Sequence, residues 1–186
     1  MKIGYWFFIL LIILFSASGF AEEKFPVTVH AGYFGEMGVH PGGTIGAGAE
    51  FLKAGRYSMA GEFSAFSYIH PLNHTAFAVR GDWVHRVTGK RGLSGEAGIS
   101  LGYMHTWSRG DIYVQADDGT IAQSTNTGWP HLYTGLFIGT ALDLRRPAAM
   151  PLAPYFRTLC FFEYPYNGFL LPHLAFELGI RIRIPL

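Results

Sequence analysis

The chain has 186 residues, among them 24 Gly, 16 Phe and a single Cys; 49% are hydrophobic and 15% are charged. That length gives one domain plus a targeting segment, and the apolar and aromatic content excludes a disordered chain. One cysteine excludes an internal disulfide framework and a four-cysteine zinc site, and a formal charge of +1 leaves no basic field for nucleic acid.

The first segment is an address. Lys2 precedes the apolar run Trp6 to Phe15, and Gly19 and Ala21 are the small residues that a signal peptidase accepts. A basic start, a short apolar run and a small-residue end predict a secretory signal over 1–21, because a spanning helix needs roughly 20 apolar residues. The mature domain is then 22–186.

From there the hydrophobic period is two, interrupted by turn residues, which predicts strands. Eight are read, over 25–34, 44–53, 57–68, 75–87, 93–107, 131–144, 152–164 and 171–184. In the second, Ile45, Ala47, Ala49 and Phe51 oppose Thr44, Gly46, Gly48 and Glu50. In the fourth, Phe77, Val79 and Trp83 oppose Arg80, Asp82 and Arg86. In the fifth, Ile99, Leu101 and Tyr103 oppose Glu96, Ser100 and Gly102. The last is the clearest: Leu174, Phe176, Leu178, Ile180, Ile182 and Ile184 oppose His173, Glu177, Arg181 and Arg183.

Alternation alone leaves open which face points outward. The polar faces are rich in Gly, Ser and Ala, which suit a crowded interior. Their charges are Arg, Glu and Asp with almost no Lys, as expected of paired buried ions rather than a solubilising coat. The predicted interior charges are Glu50, Glu62, Arg80, Asp82, Arg86, Glu96, Asp143, Arg157, Glu163, Glu177, Arg181 and Arg183. Such groups avoid lipid, since Arg or Lys at mid-depth costs on the order of 2–4 kcal/mol. The expected fold is therefore all-β: an antiparallel, eight-stranded, up-and-down transmembrane β-barrel behind a signal peptide.

The connections point the same way. Those after strands two, four and six cover 54–56, 88–92 and 145–151; those after strands one, three, five and seven cover 35–43, 69–74, 108–130 and 165–170 and are longer or richer in turn residues. Lys53, Arg56, Lys90, Arg91, Arg145 and Arg146 make the first set a basic rim. Aromatic residues gather near strand ends. Tyr33, Phe34, Phe66, Tyr68, Tyr103, Trp107, Trp129, Tyr133, Phe162, Tyr164 and Tyr166 are assigned to an outer girdle, and Phe25, Phe51, Tyr57 and Trp83 to an inner one.

With these features the chain resembles the small outer-membrane β-barrels of Gram-negative bacteria. The final strand, LAFELGIRIRIPL, looks like the C-terminal signal read by the barrel-assembly machinery, although it ends in Leu186 where many such proteins have Phe. The resemblance implies residence in the outer membrane, outer-membrane lipid around the wall and that machinery as a partner in biogenesis. It names no surface partner, cofactor or metal.

Several groups of side chains could carry chemistry. Six of the eight histidines, His40, His70, His74, His105, His131 and His173, fall in outer connections or at outer strand ends, but no HxH or HExxH spacing occurs. Some barrels of this class modify the acyl chains of lipopolysaccharide with Ser, His and an acid. Here His105 and Ser108, or Glu163 and His173, are the pairs that such a relay would need to assemble. The stretch Pro41 to Glu50 is glycine-rich but lacks the Lys-Ser/Thr ending of a phosphate loop. Cys160 sits on an apolar parity and is expected to be inert. The loop 108–130, with Asp111, Asp117, Asp118 and Gly119, is expected to be a solvated turn rather than a calcium loop, or to hide a further hairpin. The expected role is structural or surface contact through 35–43 and 108–130. The alternatives are a lipid A acyl hydrolase or transferase, and a soluble lipocalin-like binder with Phe176, Ile180 and Ile182 lining a cavity.

Overall fold

The structure, a computed structural model, describes residues 26–166 and 168–184. The expected secretory signal, Phe25 and the last two residues lie outside the described residues. The period-two segments form strands β1 (Val27–Glu36), β2 (His40–Ala54), β3 (Tyr57–Ile69), β4 (His74–Thr88), β5 (Leu93–Ser108), β8 (Trp129–Leu142), β9 (Leu152–Tyr166) and β10 (Phe169–Ile184). Between β5 and β8 two short strands, β6 (Ile112–Gln115) and β7 (Ile121–Ser124), pair only with each other. The eight long strands close into an antiparallel barrel in the order β1-β10-β9-β8-β5-β4-β3-β2. The first and last strands meet with Val27 opposite Ile184 and Glu36 opposite Ala175, so the wall has no open edge. A register shift between Glu50 and Leu52 in β2 inserts Phe51 as an extra residue, and a second shift lies between Phe169 and Leu171 in β10.

The two faces differ as the alternation requires. Ile45, Phe63, Ile99, Leu136 and Leu178 are each 59–66% exposed, whereas their neighbours Thr44, Glu62, Ser100 and Glu177 are at most 5% exposed. An apolar outer surface of this extent has no stable place in water. The strands are 10–16 residues long, enough for the 9–11 tilted residues a bilayer crossing takes. Among the described residues no helix is long and apolar enough to cross a membrane; the crossing is made by strands. The lipocalin-like alternative fails on this geometry. Ile180 and Ile182 point outward and are exposed, and Phe176 shares their face.

At one end of the barrel lie residues 55–56 and 89–92, the segment 143–151 with the four-residue helix α1 (Arg145–Ala148), and both ends of the described wall. At the other end the connections are 37–39, 70–73, 109–128 and 167–168. The connections expected over 35–43 and 165–170 are therefore shorter than read, because the flanking strands continue into them. At the first, Met37 and Gly38 both adopt the left-handed conformation (φ 50° and 76°) that lets the ladder run on to Glu36 and His40. Only 109–128 is long. It marks the outer end, and the short turns with the two ends of the described wall mark the periplasmic one.

Candidate functional site

Side chains fill most of the inside of the wall, in three layers. The inner-face glycines make this possible. A Cβ on Gly102 would come within 2.8 Å of the Arg80 Cα, and one on Gly139 within 2.8 Å of the Arg157 Cγ. Each glycine thus leaves room for an arginine on the neighbouring strand.

The periplasmic half holds an ionic network of Arg80, Arg86, Arg157, Arg181 and Arg183 with Glu50, Glu62, Asp82, Glu96 and Glu177. Glu96 is its hub. Its carboxylate accepts from Arg157 Nε at 2.6 Å, from Arg181 Nη1 and Nη2 at 2.9 and 2.8 Å, and from Arg86 at 3.2 Å. Arg157 Nη2 also donates to Glu62 Oε2 at 2.7 Å. Nearer the middle, Arg80 donates to Glu177 Oε1 at 2.6 Å and to Asp82 at 3.2 Å. Three guanidiniums lie over rings: Arg157 over Phe137 and Arg181 over Tyr155, each 4.4 Å from the centroid, and Arg80 over Phe66 at 5.2 Å. Arg183 is half-buried at the periplasmic mouth, 3.1 Å from Glu50.

Ten of the twelve interior charges predicted from sequence stand in this network, and an eleventh, Glu163, is buried in the outer layer. Asp143 does not stand in the wall. Strand β8 stops at Leu142, and Asp143 caps the following turn, accepting from Arg145 Nε at 2.9 Å and Nη2 at 2.5 Å. Those hydrogen bonds hold its carboxyl below the ordinary aspartate value.

The middle layer is aromatic. Phe34 and Phe66 stack at 4.3 Å, and Tyr133 and Phe161 at 5.0 Å, with Tyr68 beside Phe34 at 5.8 Å. None of these five rings is more than 2% exposed. Four of them (Phe34, Phe66, Tyr68 and Tyr133) were assigned to the outer girdle. They share the inward parity of the charges and plug the lumen instead. The girdle that remains on the outside includes Tyr33, Tyr103, Trp107, Trp129, Tyr164 and Tyr166 at the outer end, and Phe51 and Trp83 at the inner end.

The outer layer is a collar of histidines and glutamates. Glu36 on β1 is hydrogen-bonded to His40 on β2, and its Oε1 lies 2.8 Å from His173 Nδ1 on β10. His173 Nε2 lies 3.3 Å from Glu163 Oε2 on β9, and Glu163 Oε1 is 3.0 Å from His131 Nε2 on β8. Thr106 on β5 bonds the same His131 nitrogen at 2.9 Å, and His131 Nδ1 bonds the Pro165 carbonyl at 2.8 Å. The His70 ring stacks between His40 (3.8 Å) and His74 on β4 (5.6 Å), and Tyr68 on β3 bonds His74 at 3.2 Å. All eight wall strands thus contribute to one continuous chain of contacts.

Five of the six outer histidines meet here. The sixth, His105, faces outward with Tyr103 and Trp107, bonded to Tyr103 Oη (2.7 Å) and the Thr127 carbonyl (3.0 Å). A Ser–His–acid relay is not assembled at either expected place. His105 has no hydrogen bond to Ser108, and His173 lies between two carboxylates rather than beside a serine. One serine–histidine pair that sequence reading missed, Ser64 and His30 at 3.2 Å, is buried inside the wall. Among the described residues no group of three His, Cys, Asp or Glu side chains has the arrangement of a metal site. Cys160 lies exposed on the outer face of β9. Asp118 caps the β6–β7 turn, accepting from Thr120 N at 2.9 Å and Oγ1 at 2.6 Å, and those bonds lower its pKa.

A closed antiparallel wall that is apolar outside and ionic within, with both described ends at the short-turn side, defines an eight-stranded β-barrel of the outer membrane. The comparisons agree on the fold. A major outer membrane protein from Thermus thermophilus is 14% identical, with a TM-score of 0.54 over 87% of this chain and 100% of that one. The outer membrane enzyme PagL is 12% identical, with a TM-score of 0.51 over 84% of this chain and 99% of that one. At such identities the likeness is one of architecture; catalysis is a property of PagL. No protein-family model and no curated protein matches the chain.

Proposed function

We propose that the protein is a sealed, non-enzymatic barrel that acts by contact at the cell surface, with a protein as its partner. The supporting observation is what its outer tips carry. Val39, Leu72, Ile121 and Phe169 are 72–95% exposed, one at each outer connection. Tyr113 and Val114 add to the β6–β7 hairpin. Apolar side chains at exposed tips suit the centre of a protein interface better than the phosphate- and sugar-rich surface of the outer leaflet. The hairpin's outer edges belong to no larger sheet and offer backbone groups for strand addition. Assembly by the barrel-assembly machinery through β10 belongs to the same reading.

The test is adherence. Cells overproducing the protein should adhere to surfaces coated with extracellular proteins several-fold better than cells carrying the empty vector. Replacing 112–124 by a short Gly-Ser link should remove that gain while leaving heat-modifiable gel migration intact. Adherence equal to the vector control, or unaffected by the replacement, contradicts the proposal. An altered lipid A mass spectrum on overproduction would contradict the non-enzymatic part.

A further inference from the structure

The periplasmic mouth opens into a cavity of about 180 Å³ whose lining carries seven cationic side chains and two acidic ones. Lys53, Arg56, Lys90, Arg145 and Arg183 surround it, and Arg86 and Arg181 lie among the deeper residues, where Glu62 and Glu96 pair with them. The two acids are already engaged. Asp143 is held by Arg145, and the Oε1 of Glu50 is shared between Arg86 at 3.2 Å and Arg183 at 3.1 Å. Lys53 and Arg56 are exposed and have no carboxylate partner among the described residues. Deeper in, Arg181 is 4% exposed, and its Nε is buried without a hydrogen-bond acceptor.

We infer that this vestibule is a binding site for a phosphate-bearing anion. The low-dielectric wall concentrates the positive potential inside the mouth. Guanidinium forks match the oxygens of a phosphate, and lysine adds a mobile point charge. The volume falls below the roughly 300–1,000 Å³ of sites that enclose drug-sized ligands, which favours one or two phosphate groups over a whole nucleotide. Both a free oligophosphate in the periplasm and the headgroup of an anionic phospholipid in the inner leaflet present that chemistry at this end of the barrel. The inference is independent of the surface-contact role, which concerns the opposite end.

Calorimetry on the mature protein in maltoside micelles tests it. Pyrophosphate is the probe in one arm, and dihexanoyl phosphatidylglycerol below its micelle concentration is the probe in the other. Saturable binding that weakens with added salt is expected in at least one arm. Binding of pyrophosphate alone assigns the site to a free anion, and binding of the lipid alone assigns it to a headgroup. The double variant Lys53→Gln/Arg56→Gln lies outside the ionic network and should keep heat-modifiable migration while weakening binding roughly tenfold. Arg183→Gln should weaken it as well. Absence of saturable binding in both arms, or a double variant that binds like the parent, overturns the proposal.

Discussion

Arg80 on β4 and Glu177 on β10 lie 97 positions apart in sequence, yet their side chains meet at 2.6 Å across the full width of the lumen. Three strands separate them in either direction round the wall. Arg157 on β9 and Glu62 on β3 have the same relationship, at 2.7 Å. These pairs are cross-ties. They bond strands that share no backbone ladder, so the wall and its contents form one cooperative unit.

Removing one member of the network leaves its partners charged and under-neutralised in a dry interior. Glu96→Gln deprives Arg86, Arg157 and Arg181 of their shared carboxylate. It is expected to destabilise the barrel by about 3–5 kcal/mol. The double variant Arg80→Met/Glu177→Met, which removes both charges of a cross-tie, should cost less than either single change. Urea unfolding monitored by gel migration compares them.

The aromatic and ionic layers each fill the lumen, so the protein should show no discrete conductance steps in planar bilayers. Phe66→Ala should destabilise by about 3–5 kcal/mol through the cavity it leaves. It should nevertheless remain silent, because the network beneath still closes the barrel. Step conductance in the parent protein would show that the layers open.

The collar predicts a local effect. Glu36→Gln replaces the carboxylate between His40 and His173. A loss of about 1.5–3 kcal/mol is expected for bonds to a charged group. It should appear as faster amide exchange at the outer ends of β1, β2 and β10, while the periplasmic half stays protected.

Asp143 gives a pH dependence. Its carboxyl is held below the ordinary aspartate value of 3.8, chiefly by hydrogen bonds from Arg145. A lowered carboxyl pKa adds stability that is fully present above the unfolded value and is lost as pH falls through the folded one. The pair is partly exposed, so about 0.2–1 kcal/mol is expected. The stability difference between the parent and Asp143→Asn should shrink below pH 4. A difference that persists at lower pH would rule this out.

The wall was legible because a one-residue slip in a strand inverts both faces at once. Runs such as Leu174 to Ile184 therefore admit one register. The same parity rule contained the aromatic plug. Phe66 lies an even number of residues from Glu62 on β3, and Phe161 from Arg157 on β9, so both rings had to follow the charges inward. A preference for rings at membrane interfaces obscured that signal. Of the collar only the Glu163–His173 pair, across one hairpin, was legible. The collar's members come from all eight wall strands, and which histidine meets which glutamate depends on strand order and stagger, which no local pattern encodes. The turns at 37–39 and 167–168 were overestimated because proline, glycine and polar residues mark turns without fixing where the ladder ends.

Adjacent residues on β5 test the inside-out wall most directly. In a Cys160→Ser background, Ile99→Cys and Ser100→Cys place thiols one residue apart, at sites 59% and 4% exposed. A reagent dissolved in the lipid phase should label the first and spare the second. Labelling of position 100 with protection of position 99 would mean that the apolar face lies inside, and the barrel described here would be wrong.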